Sequence, residues 1–216
     1  MNIEQVRALV APIPPETGRE ADVAPRYLNG DHALNPAMLE TMDSGKMKSA
    51  AVLVPIVDRE QPTLLFTLRS STLKHHSGQI SFPGGRQEPG ETIVETALRE
   101  SFEEIGLARG LVDVLGVLDC YVTGTNYIIR PVVARVDPRF EPHANPDEVV
   151  EIFEAPLDMF FDAGHYIKCV RERGGRPREF YAIAWGEHFI WGATAGILRA
   201  LCARSAIANG KHRITG

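Results

Sequence analysis

Cysteine is scarce. The chain has three in 216 residues, Cys120, Cys169 and Cys202, far apart and with no CxxC pair. Such a set excludes a disulfide framework, points to a reducing compartment and predicts buried, inert thiols. Long apolar runs are missing as well, and no stretch approaches the ~20 residues of a membrane span. The N-terminal residues 1–12, MNIEQVRALVAP, carry no basic stretch ahead of an apolar one, and the closing Arg-Ile-Thr-Gly is no peroxisomal address. The cytoplasm is therefore the expected location. Basic runs are absent too: 23 Lys and Arg against 28 Asp and Glu give a formal charge of −5. That balance argues against nucleic acid as the principal partner. There is no internal repeat and no low-complexity segment.

What is present is enough to bury a full core, with 44% hydrophobic residues. The length suits one elaborated domain. We place it at residues 46–208, with residues 1–45 as an extension that packs on it and 209–216 as a tail. A short amphipathic helix is expected over Ile3 to Val10, ended by Pro12, Pro14 and Pro15. The following segment is polar and irregular, with room for a short helix at Pro36 to Met42.

Ser49 to Val57, SAAVLVPIV, reads as a buried strand, and Thr63 to Leu68 as its hairpin partner. A polar loop from Ser70 to Ser81 carries Lys74, His75 and His76, which read as loop residues. Phe82-Pro83-Gly84-Gly85 favours a special turn. Next comes the clearest helix, opened by the capping box Thr92–Glu95 and closed by Gly106. Its expected apolar face is Ile93, Val94, Ala97, Leu98, Phe102 and Ile105. Strands follow at Val112 to Leu118 and Tyr127 to Val136, where Pro131 suggests an edge or a bulge. Glu148 to Phe153 is a short acidic-apolar stretch. Tyr166 to Val170 and Phe180 to Trp185 suggest a hairpin around Gly174-Gly175. Trp191 reads as core, and Ala193 to Ala208 as a last helix with Ile197, Leu198 and Leu201 inward.

The chain is organised around Gly85 to Leu107, GRQEPGETIVETALRESFEEIGL. Glu100, Glu103 and Glu104 are spaced i, i+3, i+4 and share one helical face. Like charges so close repel unless a cation sits among them, which is how a site for a hard divalent ion is built. Arg99 lies four residues after Glu95 and four before Glu103, so it can pair along the helix and orient a glutamate.

This stretch resembles the signature of the Nudix hydrolases, G-x5-E-x7-R-E-U-x-E-E-x-G-U. Gly85, Glu91, Arg99, Glu100, Glu103, Glu104, Gly106 and Leu107 fall in register. Ser101 stands where a bulky aliphatic is expected and should loosen local packing. The resemblance implies an α/β fold, the Nudix α/β/α sandwich with a mixed β-sheet between helices. It also implies metal-dependent hydrolysis of a diphosphate, with Mg2+ or Mn2+ as cofactor. Glu100, Glu103 and Glu104 would hold the metal, joined by Gly84 through its carbonyl and by Glu91 as a ligand or just behind one. A metal acidifies bound water, and a carboxylate can take the proton. Glu148 is the candidate second base.

A second stretch, Leu65 to Gly85, is similar to the additional motif of coenzyme A diphosphatases in that superfamily, L-L-T-x-R-[SA]-x3-R-x3-G-x3-F-P-G-G. Leu65, Thr67, Arg69, Ser70, Gly78, Phe82, Pro83, Gly84 and Gly85 agree. Phe66 replaces leucine, a hydrophobic swap. Lys74 replaces arginine, so a planar fork for phosphate becomes a point charge. The resemblance implies Arg69, Lys74, Gly78, Phe82, Gly84 and Gly85 as substrate contacts and coenzyme A or a derivative as the small-molecule substrate. ADP-ribose, NADH, dinucleoside polyphosphates or oxidised nucleotides are the alternatives, followed by a non-catalytic nucleotide-binding module. All the box glutamates are kept, which favours an enzyme. No membrane partner is expected, and a homodimer is left open.

Overall fold

The computed structural model describes residues 1–13, 29–41, 44–71, 78–208 and 210. Lys74, His75, His76 and Met42 lie outside them. The first helix, α1, spans Ile3–Arg7 and starts at Asn2 with a capping box completed by Gln5. It buries Ile3 and Val6 in the core. A two-residue strand, β1 (Asn29–Gly30), leads into three short 3-10 turns.

β2 (Lys48–Val57) is the spine of the sheet. It runs parallel to β8 (Tyr127–Val136) along its whole length and antiparallel to β3 (Thr63–Arg69) only at its end. Between them in sequence come β4 (Ile80–Ser81), β5 (Gly84–Arg86), helix α2 (Ile93–Ile105), β6 (Val112–Val117) and β7 (Tyr121–Val122). β9 (Val149–Pro156) then pairs antiparallel with β3. The nine strands form one mixed sheet, ordered β1-β7-β8-β2-β3-β4, with β5 on β2, β6 on β8 and β9 on β3. β10 (Ile167–Arg173), β11 (Arg176–Trp185) and β12 (His188–Trp191) make a separate antiparallel sheet, and α3 (Ala193–Ala208) ends the fold.

The valine-rich run of β2 is explained by burial on both faces, which needs no polar alternation. Ala51, Leu53 and Val57 face α2, packing with Ala97, Leu98 and Ile105. Val54 and Ile56 face the other way, into a cluster with Ile197, Leu198 and Leu201 of α3 and Ile183 and Ile190 of the small sheet. The expected layering, a mixed sheet between helices, is what the chain adopts.

Three expectations need correction. Pro131 lies in an inner strand, between β2 and the β6–β7 side, not at an edge. It sits where β8 exchanges β6 for β7 as partner, a point at which a missing N–H is tolerated, and its carbonyl accepts from Leu118. The bulge falls on β6 instead, between Val114 and Gly116. Phe102 is 58% exposed, because the inward series is Ala97, Leu98, Ser101, Glu104 and Ile105 and Phe102 projects a step round the helix from it. Glu148 to Phe153 supplies most of a full strand, β9. Ser101 is completely buried with its hydroxyl donating to the Ala97 carbonyl at 2.7 Å. Among the described residues no helix is long and apolar enough to cross a membrane.

Candidate functional site

Helix α2 is fixed at both ends by its own sequence. Thr92 accepts from the Glu95 N–H while Glu95 accepts from the Thr92 N–H, and Gly106 closes the helix with φ 72°. The carboxylates of the last two turns are thus presented from a rigid element, in front of the β5 glycines. Gly84 is pressed against β2: a Cβ there would lie 2.6 Å from the Val52 Cα, and its φ of 154° suits glycine. Gly85 serves a different need, because a Cβ would collide with the Glu100 carboxylate.

Arg99 is the hub. Its Nε donates to Glu91 Oε1 at 2.6 Å and its Nη2 to Glu91 Oε2 at 3.1 Å. Nη1 donates to both Glu100 Oε1 and Glu103 Oε2 at 3.0 Å, and Nη2 also reaches the Arg86 carbonyl at 3.1 Å. All five guanidinium donors are used. Of the two pairings the spacing allowed along the helix, Arg99 makes the one to Glu103 and not the one to Glu95; its two-pronged partner is Glu91, in the turn before the helix.

Glu91 has further partners. Besides Arg99 it accepts from the Thr96 hydroxyl at 2.8 Å and from the Glu88 N–H at 3.1 Å. The Arg99 hydrogen bonds pull its carboxyl down to about 2, against the opposing effect of burial. Both Glu91 oxygens are thus engaged, Oε1 by Arg99 alone and Oε2 by Arg99, Thr96 and the Glu88 N–H. Thr96 escaped the sequence reading; its only signal was a hydroxyl on the inward face of an amphipathic helix.

Glu104 is 1% exposed. It accepts from Arg69 Nη1 at 2.9 Å and from the Gly84 N–H at 3.3 Å. Burial pushes its carboxyl up to about 7, with Arg69 working against the rise and Glu100 adding to it. Glu100 is also raised, chiefly by burial, with Arg99 opposing and the charges of Glu103 and Glu148 contributing. Glu103 is half exposed.

Glu148 is brought to the same place by backbone contacts. The loop before β9 hangs from the end of α2 through His143 N–H to the Ile105 carbonyl at 3.0 Å and Asn145 N–H to the Glu104 carbonyl at 2.9 Å. The Glu148 carbonyl then accepts from Ser70 at 2.8 Å. Glu151, three residues on, is turned elsewhere and pairs with His188 at 2.9 Å, whose ring stacks on Phe153.

Of the residues expected to meet substrate, Gly84 and Gly85 line the carboxylates and Arg69 touches them through Glu104. Gly78 shapes a turn, with φ 67° and its N–H on the Arg69 carbonyl at 3.2 Å. Phe82 is a core residue, 2% exposed and stacked on Phe66 at 5.2 Å. Lys74 is among the residues outside the description. Among the described residues no three acidic, imidazole or thiol groups already converge on one point. Arginines hold them instead. The donor set is nevertheless all oxygen, and Glu100 and Glu103 sit close enough to share one guanidinium nitrogen. That chemistry fits a hard divalent ion such as Mg2+ or Mn2+.

A family model described as the NUDIX domain matches residues 47–169. The chain is 39% identical over 179 residues to an uncharacterized Nudix hydrolase, NudL, of Cronobacter sakazakii, covering 82% of this chain and 91% of that one. It is 41% identical over 162 residues to the Escherichia fergusonii protein of the same description, covering 74% and 84%. A solved MutT/nudix family protein from Enterococcus faecalis shares the fold, with a TM-score of 0.50 at 15% identity over 84% of this chain and 71% of that one.

Proposed function

The chain belongs to the Nudix family, and on that premise we propose that it hydrolyses the diphosphate bond of coenzyme A, its thioesters or its oxidised forms with Mg2+ or Mn2+. The products are adenosine 3′,5′-bisphosphate and 4′-phosphopantetheine or its acyl derivative. Glu100, Glu103 and Glu104 would hold the ion, with the Gly84 carbonyl beside them. When bound, it screens the diphosphate charge and makes water a stronger acid. The chain's own residues do the rest. Arg99 keeps Glu100 and Glu103 in place, Arg69 balances the buried charge of Glu104, and Glu148 takes the proton of the attacking water.

The observation that supports this reading is the junction of the two motifs. Arg69, from the stretch similar to coenzyme A diphosphatases, meets Glu104, from the metal helix, at 2.9 Å. Gly84 and Gly85 end the first motif under the carboxylates of the second. One wall therefore carries both sets of residues. The test is incubation with coenzyme A, ADP-ribose, NADH and a diadenosine polyphosphate plus Mg2+, with products identified by mass. Coenzyme A is expected to be cleaved with the highest kcat/KM. A clear preference for ADP-ribose overturns the coenzyme A assignment, metal-independent turnover overturns the metal reading, and absent turnover of all four overturns the hydrolase reading.

A further inference from the structure

The turn between β5 and α2, from Gln87 to Glu91, is solvent-exposed around Pro89 and Gly90 and has no core of its own. It nevertheless carries Glu91, on which Arg99 depends. What holds it is a one-directional relay of hydrogen bonds entering from the sheet. Arg130 on β8 donates from Nη1 to the Ser49 hydroxyl at 2.6 Å. Ser49 passes its single proton to Gln87 Oε1, also at 2.6 Å. The Gln87 amide nitrogen donates to the Glu91 carbonyl at 2.6 Å.

The backbone backs up this path. Gln87 N–H donates to the Ser49 carbonyl at 3.0 Å, and Glu91 N–H to the Glu88 carbonyl at 3.2 Å. Every group in the relay has its donor and acceptor in matching sense, so removing one hydroxyl or amide breaks the side-chain path and leaves the turn tied to the sheet by backbone alone. None of Ser49, Gln87 and Arg130 touches Glu100, Glu103 or Glu104; the connection runs through Glu91 and the saturated guanidinium of Arg99.

We propose that Ser49, Gln87 and Arg130 are positioning residues of the metal site, fixing the Gln87–Glu91 turn so that Glu91 clamps Arg99 and Arg99 holds Glu100 and Glu103 in register. The inference rests on the metal reading above. Groups that orient ligands from behind change metal affinity by about 10–100-fold when lost.

The test is Mn2+ binding to the full chain without substrate, measured as free Mn2+ by electron paramagnetic resonance, beside a thermal melt. Gln87→Met keeps the chain length and removes both side-chain hydrogen bonds. Ser49→Ala removes the central hydroxyl and Ser49→Thr restores it. Gln87→Met and Ser49→Ala are expected to weaken Mn2+ binding about tenfold or more, and Ser49→Thr to return close to wild type, with melting temperatures little changed. Wild-type Mn2+ affinity in folded Gln87→Met overturns the inference, as does Ser49→Thr binding as weakly as Ser49→Ala. If Ser49→Ala fails to fold, Gln87→Met on the exposed turn decides alone. An intact wild-type chain that binds no Mn2+ overturns the metal reading itself, an outcome distinct from failure of the relay.

Discussion

Gly84 and Gly85 are neighbours whose replacement by alanine should fail in opposite ways. At Gly85 the backbone is ordinary for any residue, and the nearest obstacle to a methyl is the Glu100 carboxylate. That carboxylate is the free end of a flexible side chain, so it retreats and the sheet stays put. Restoring normal contact needs a shift of ~1 Å, and a misplacement of that size costs about 10²-fold in rate. The hydrogen bond from Arg99 to Glu100 is lost, about 1.5–3 kcal/mol for a charged pair. The stiffer unfolded chain returns roughly 0.4–1 kcal/mol. Net destabilisation is then about 1–2 kcal/mol, or ~2–8 °C in melting temperature for a domain of this size.

At Gly84 the methyl meets the Ala51 carbonyl and the Val52 Cα, backbone of the central strand, at a φ of 154°. Neither can yield without parting β5 from β2, so Gly84→Ala should cost ~3 kcal/mol or more and melt on the order of 10 °C lower. Steady-state hydrolysis at saturating Mg2+ and a thermal melt on both variants make the comparison. A Gly85→Ala enzyme with near-wild-type rate would refute the claim that the glycine exists to seat Glu100. So would a melting loss as large as that of Gly84→Ala.

Other perturbations follow from the same geometry. Arg69→Met leaves the buried Glu104 carboxylate without its cation and should cost ~3–5 kcal/mol, while adding Glu104→Gln recovers a good part of it; additive losses in the double-mutant cycle would deny the coupling. Glu104→Gln alone should abolish most Mg2+-dependent turnover, and an unchanged rate would remove Glu104 from the site. Asp31 accepts from the Tyr121 hydroxyl at 2.7 Å and the Gly124 N–H at 2.8 Å, so Asp31→Ala strands a buried hydroxyl and should lower stability by about 1–3 kcal/mol in chemical denaturation. Burial pushes the Glu154 carboxyl up, but hydrogen bonds from Arg59 and Thr63 outweigh it and leave it depressed. A depressed carboxyl stabilises above its unfolded pKa and loses that contribution as pH falls through the folded one. The stability gap between wild type and Glu154→Gln should therefore be present at about pH 6 and shrink below about pH 4; a gap of constant size would contradict this.

How much of this could be read from the sequence depended on whether the signal was local. Helix α2 was legible because Thr92, Glu95 and Gly106 specify its ends within a few residues. β2 was legible because nine residues of mostly valine, alanine and isoleucine leave no polar face. β9 was harder, since Glu151 and Glu154 interrupt the pattern; the first pairs with His188 on one side of the sheet and the second with Arg59 on the other. β12 is only four residues and forms by pairing with β11, a decision made outside its own sequence. Pro131 misled because the edge rule concerns a missing ladder bond, and an inner strand can supply such a gap where its neighbour changes.

The site divides along the same line. The spacing of Glu100, Glu103 and Glu104 announces a shared face, because helical geometry alone brings i, i+3 and i+4 together. The cations that balance them are not announced. Arg99 lay close enough in sequence to be assigned an orienting role, yet its strongest partner, Glu91, lies back across the turn and helix start, beyond the reach of helical spacing. Arg69 comes from a strand 35 residues before Glu104, and only the docking of α2 over β2 and β5 makes them a pair. A surplus of carboxylates in a motif therefore predicts cations from elsewhere in the fold without saying which ones. Here those cations are arginines of the upstream motif and of the helix itself, so a resident metal ion must share or displace their hydrogen bonds. For that reason the arginines, and the turn that anchors Arg99, should govern metal affinity as strongly as the glutamates do.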